Sequence, residues 1–221
     1  AGATTVSAGT LALGASERLG NTSTLVVASG ARFDLAGFDE TLGSLSGAGA
    51  VTLDLGNLTV GGTGASDTYS GVMSGNGSFT KAGAGTLTLA GANTYTGATA
   101  VAGGTLARGA ASRIADATAV TVSAGATFDL AGFSETVGSL AGGGAVALGA
   151  ATLSAGGDGS STSYSGVMSG TGGLTKIGTG TVTLGGANAY TGATAVVEGV
   201  LALGGNERLS NLTAVTISPG A

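Results

Sequence analysis

The chain has 221 residues, 46 of them glycine, with one proline, no cysteine and no histidine, a net charge of -5 and only 9% charged residues. These counts exclude disulfides, thiolate chemistry, the usual zinc sites and any catalysis that uses imidazole. The seven basic residues form no stripe, so neither nucleic acid nor an anionic lipid surface is expected as a partner. At 43% hydrophobic, the chain is too apolar to stay a solvated coil in spite of its glycine.

Taken in order, the opening AGATTVSAGTL has neither a basic n-region nor a continuous apolar run, so no signal peptide is expected within it. Short stretches follow that alternate apolar with polar or β-branched residues and stop at Gly, Asn, Ser or Asp. Phe33-Asp34-Leu35, Thr86-Leu87-Thr88-Leu89 and Val120-Thr121-Val122 are examples, and each predicts a short strand. No window keeps apolar residues at helical spacing over three turns, so no helix of consequence is expected. Thr136 to Gly157 carries no charge, but it is rich in Gly, Ala, Ser and Thr. Its counterpart Thr41 to Gly62 contains Asp54, and the pair is read as strands and turns rather than a membrane helix.

That counterpart exists because the chain repeats. Shifted by 95 residues without a gap, residues 1–126 match residues 96–221 at 72 of 126 positions. Tyr69 falls on Tyr164, Lys81 on Lys176 and Arg113 on Arg208. The copies run 1–95, 96–190 and, in part, 191–221, and the whole of 1–221 is expected to form one segment. Glycines of the motif Gly-x-apolar-x step by 19 or 21 residues, with two steps of 36 that read as double coils. Five coils averaging 19 residues per copy are too short for a βαβ crossover. They predict three short strands per coil, which is one turn of an all-β solenoid, a parallel β-helix. At about 4.8 Å per turn each copy would then rise roughly 24 Å.

The segments Lys81 to Thr99, KAGAGTLTLAGANTYTGAT, and Lys176 to Thr194, KIGTGTVTLGGANAYTGAT, resemble the passenger-associated repeat of bacterial autotransporters. The second half of the same pattern opens the chain at residues 2–11. The resemblance implies a right-handed parallel β-helix, exported to the Gram-negative cell surface or secreted, by way of a C-terminal outer-membrane β-barrel. With no leader, barrel or cap in view, the expectation is a segment of a longer exported chain. As a passenger segment it would act as a structural stalk or adhesive scaffold, in adhesion or cell-cell aggregation, without inserting into a membrane. Its partners would be host or bacterial surface glycans and proteins, or further copies of itself.

Four tyrosines are the candidate ligand contacts. Tyr69, Tyr95, Tyr164 and Tyr190 recur in Tyr-Ser-Gly or Tyr-Thr-Gly, and an exposed row of them would stack on sugar rings. The competing expectation is that each covers a turn with its hydroxyl left in water. Asn93 and Asn188 precede two of them and are expected to serve the turns. Asp34 and Asp129 should point outward, five turns and roughly 24 Å apart, too far to form the pair of carboxylates a glycan-cleaving enzyme needs. Asp34 with Asp54 is the only pair left for a polysaccharide-degrading β-helix, and no catalytic residue is assigned. Gly156 to Ser161 approaches the calcium-binding nonapeptide but lacks its final aspartate, so neither metal nor cofactor is expected. Thr86/Thr88 and Thr181/Thr183 would need company on consecutive turns to form a threonine ladder. Lys81 and Lys176, with Arg18, Arg113 and Arg208, are read as solubilising surface charges.

Overall fold

The computed structural model describes residues 2–221, and these residues form an all-β solenoid with no helix. The chain winds through about 11 turns of roughly 20 residues each. Strands of three to five residues pair in parallel with the strand one turn before and one turn after. Three faces result.

The first face is a continuous nine-stranded sheet: Ala3–Val6, Thr24–Val27, Ser44–Gly47, Asp67–Tyr69, Thr86–Leu89, Thr105–Arg108, Thr127–Asp129, Ala145–Gly149 and Met168–Gly170. The third face is likewise nine-stranded, from Glu40–Leu42 and Asn57–Val60 through Ser78–Lys81, Thr99–Val101, Ala119–Val122, Ser139–Gly142, Thr162–Tyr164 and Thr181–Leu184 to Val200–Leu203. The second face is two sheets. Thr10–Ala12, Arg32–Asp34, Ala50–Asp54 and Met73–Gly75 form one, and Glu135–Val137, Leu153–Ala155, Leu174–Lys176, Thr194–Val196 and Val215–Ile217 the other. Residues 92–95 and 111–117 bridge them without strand geometry.

Period-two alternation drives this packing. In Thr86–Leu89 the leucines are buried and the threonines half-buried, and the same in-out pattern runs along Asn57–Val60 and Thr181–Leu184. Inward residues stack on their own kind: Phe33 on Val51 and Met73 on the second face, Leu58 on Phe79 on the third. Phe33, Val51, Leu58, Met73 and Phe79 are fully buried, each stabilising the stack by about 1.5–3 kcal/mol. Most turn corners are tight enough to demand glycine. A Cβ on Gly71 would collide with the Gly49 carbonyl one turn below.

The repeat and the turn are not commensurate. From Ala3–Val6 the first face is revisited at Thr24–Val27, Ser44–Gly47, Asp67–Tyr69 and Thr86–Leu89, which is four full turns. The 95-residue counterpart, Thr99–Val101, comes two faces later, on the third face. Likewise Arg32–Asp34 of the second face returns as Thr127–Asp129 on the first, and Glu40–Leu42 of the third as Glu135–Val137 on the second. One copy is therefore four and two-thirds turns of about 20 residues, not five of 19, and each copy is rotated by one face about the axis. The glycine spacing misled at its two steps of 36 residues, which are one and two-thirds turns rather than double coils: Gly49 marks a corner from the first face to the second, and Gly85 one from the third face to the first.

Candidate interaction surface

All four tyrosines lie in the core with no exposed surface, so no tyrosine row faces solvent. Their hydroxyls are not wet either. Tyr69 and Tyr164 donate to the carbonyls of Gly49 and Gly144, one turn below, at 2.7 Å in both cases. Tyr95 and Tyr190 pair with the buried hydroxyls of Thr99 and Thr194 at 2.6 Å. Burial raises the phenol pKa of all four above the ordinary value. The Tyr95 ring tilts against Phe79 with centroids 6.2 Å apart. The alternation that places leucine inward places these tyrosines inward too, and at Tyr69 and Tyr164 the glycine two residues on, Gly71 or Gly166, leaves room for the ring.

Asn93 closes the gap in the second face, and Asn188 extends the first face beyond Met168–Gly170. The Asn93 carbonyl oxygen accepts the Met73 N–H from the turn below at 2.8 Å, and its amide donates to the Arg113 carbonyl in the turn above at 2.8 Å. Asn188 repeats both bonds, to Met168 and Arg208, at 2.8 and 2.9 Å. A side-chain amide thus continues the ladder where the backbone leaves it. Glu135 extends the splice one turn further by accepting the Arg113 N–H at 3.1 Å, and Glu40 holds the Arg18 N–H at 2.9 Å in the same way. Both carboxyls are almost wholly buried, and burial pushes their pKa up against the pull of their N–H donors. Glu135 also pairs with the buried Arg108 at 2.5 Å, where the other copies have Leu13 and Leu203.

Lys81 and Lys176 are not surface charges, for both are 1% exposed. The Lys81 ammonium donates to the carbonyls of Ala82, Gly83 and Gly103 at 2.5, 3.0 and 3.1 Å, tying one corner to the next turn. Lys176 does the same with Ile177, Gly178 and Glu198. Three donors matched by three carbonyls satisfy the charge without a counter-ion, although burial lowers both lysine pKa values. Arg18 is exposed, and Arg113 and Arg208 are half-buried.

The acids do not assemble. Asp34 faces Ala12 and Thr52 on neighbouring turns rather than Asp54, and it binds Arg32 at 2.8 Å. Asp34 and Asp129 accept the N–H of Ala36 and Ala131 at 2.9 and 2.8 Å, each holding an alanine at a φ of 50° at the corner. The two aspartates stand on different faces, four and two-thirds turns apart. Asp158 is spent on Ser160, and among the described residues no cluster of acids, His or Cys is suited to a metal ion.

What remains for a partner is a face. Along the third face the outward column reads Thr41, Thr59, Thr80, Ala100, Thr121, Ala141, Ser163, Thr183 and Ala202. Glu40 and Lys81 are the only charged residues in its nine strands, and both are buried. The first face carries Asp129 in its corresponding column, and the second carries Arg32 and Asp34. Thr183 finds a hydroxyl neighbour in Ser163 on one side and Ala202 on the other, so it joins no threonine ladder, and the longest run of threonines in the column is Thr41, Thr59 and Thr80.

The family model of the passenger-associated-transport-repeat matches residues 1–13, 79–107 and 174–203. These stretches, about a third of the chain, are copies of the repeat expected from the lysine-to-threonine motif. The second begins on the third face and the third on the second, so one repeat is seated in two orientations. No curated protein and no solved structure matches the chain.

Proposed function

We propose that the chain is a rod segment of an autotransporter passenger, displayed on a Gram-negative cell surface as a stalk with an adhesive face and no catalysis of its own. The three repeat copies support the passenger reading. The carrying observation for adhesion is the third face, nine strands long, with hydroxyls and methyls outward and no outward charge. Each contact on such a face is weak, and affinity accumulates along the rod through multivalency. A glycan or protein ligand would meet this face, since the tyrosines are enclosed.

The test displays the chain on cells through a β-barrel and follows settling, with intact-cell antibody labelling to verify exposure. Cells carrying the chain should settle or adhere faster than cells carrying the barrel alone. Thr59→Glu with Thr80→Glu and Thr121→Glu should remove most of that gain at equal labelling. Equal settling of the variant sinks the adhesive face, and no gain over the barrel sinks adhesion altogether.

A further inference from the structure

The fold demands glycine at its corners, and at one interior corner that demand builds a reactive pair. Gly77 packs on Gly56, where a Cβ would lie 2.1 Å from the Gly56 carbonyl oxygen, and Gly97 packs on Gly77 in the same way. The residue before Gly77 is Asn76, the only asparagine of the chain that glycine follows. A main-chain nitrogen with no side chain beside it can reach the amide carbon of the preceding asparagine and close a five-membered imide. Asn76 is exposed, so water reaches the product.

The two copies differ in what holds the glycine nitrogen. In the second copy the counterparts are Thr171 and Gly172, and the Gly149 carbonyl accepts both of their N–H groups, at 2.7 and 2.8 Å. In the first copy the Asp54 carbonyl accepts the Asn76 N–H at 2.6 Å, whereas the Gly77 N–H has no hydrogen-bond partner among the described residues. That nitrogen is free to lose its proton and attack. From the turn above, the Thr96 hydroxyl donates to the Asn76 Oδ1 at 3.3 Å, the oxygen that gains negative charge during the attack.

We propose that Asn76 is a modification site, at which the folded chain converts its own asparagine to aspartate or isoaspartate. The Gly77 nitrogen bonds to the Asn76 side-chain carbonyl carbon, the bond from that carbon to the amide nitrogen breaks, and ammonia leaves with the Gly77 proton. Water then opens the imide at either carbonyl, giving a carboxylic acid that ionises. The new charge adds to the chain's -5, in the shallow hollow that Asn76 shares with Asp54 and Leu55, beside the third-face strand Ser78–Lys81. Carboxylates then stand on successive turns, at positions 54 and 76, and repel each other. The isoaspartate form also adds an atom to the main chain, in a corner whose close packing against Gly56 and Gly97 leaves no room for it. One turn of the rod therefore loosens with age, while its counterpart at Thr171 does not. This inference concerns the corner alone and does not rest on the adhesive reading.

The full chain, verified as folded by circular dichroism, is held in warm, mildly alkaline buffer and sampled by peptide mass spectrometry. The peptide carrying Asn76 should gain about one mass unit as ammonia is released, and isoaspartate should be found in it. Asn76→Thr, which installs the residue of the second copy, should abolish the gain. Thr171→Asn places an identical pair on the held Gly172, and position 171 should convert about tenfold more slowly than position 76 of the same molecule, the worth of one hydrogen bond. A gain that appears at position 76 only after urea has unfolded the chain overturns the proposal, as does no gain at all. Equal rates at positions 76 and 171 would mean that the unheld N–H has no part in the conversion, and overturn it equally.

Discussion

At the scale of single residues, the polar side chains that recur between copies work inward. The lysine ammoniums, the asparagine amides and the hydroxyls of Tyr69 and Tyr164 satisfy groups on an adjacent turn, those of Tyr95 and Tyr190 a threonine four residues on, and an unmet partner would cost about 1–3 kcal/mol. The tyrosines make this measurable. Their folded pKa values are raised by burial, whereas an unfolded chain ionises its phenols near pH 10. The unfolded state therefore loses protons first, so the stability they contribute is intact below about pH 10 and falls as the pH rises further. A spectrophotometric titration should show no phenolate absorbance until the fold gives way, then all four tyrosines together with the loss of circular dichroism. Four independent titrations near pH 10 in a folded chain would contradict their burial.

At the scale of elements, the second face shows how a sheet survives two turns without strands. Asn93 spans the gap from Met73 to Arg113, and Glu135 carries it to the next strand. Asn93→Ala removes both bridging bonds and a third to Gly91, and should cost about 2–4 kcal/mol in urea unfolding. Hydrogen exchange should accelerate first at Met73 and along residues 109–117. Uniform acceleration over all turns would mean that the amide is not a local splice. The strands themselves were legible, because Thr-Leu-Thr-Leu and Phe-Asp-Leu alternate as half-buried strands must. The turn number was not, since a 95-residue identity is equally compatible with any whole number of thirds of a turn. Nor was the burial of Lys81, because the three carbonyls that hold it belong to glycines and alanines whose side chains announce nothing. Arg108 was overlooked for a similar reason: its partner Glu135 lies 27 positions away, and only the winding brings them together.

At the scale of the whole molecule, the fold is a stack whose units answer only to their neighbours. Deleting one copy, residues 96–190, joins Tyr95 to Thr191 in the register that Tyr95 has with Thr96. The shortened chain should fold, with a rod about 22 Å shorter in solution scattering, four and two-thirds turns at about 4.8 Å each. Deleting half a copy should instead abolish cooperative unfolding, since it sets strands against corners. The third-turn remainder in each repeat also governs how such a rod meets its surroundings. A feature encoded once per copy points in three directions in succession and comes back to its starting bearing only after three copies and fourteen turns. A rod tethered at one end thus has no front: spun to any angle about its axis, a long array still turns some copy of every feature toward whatever lies beside it.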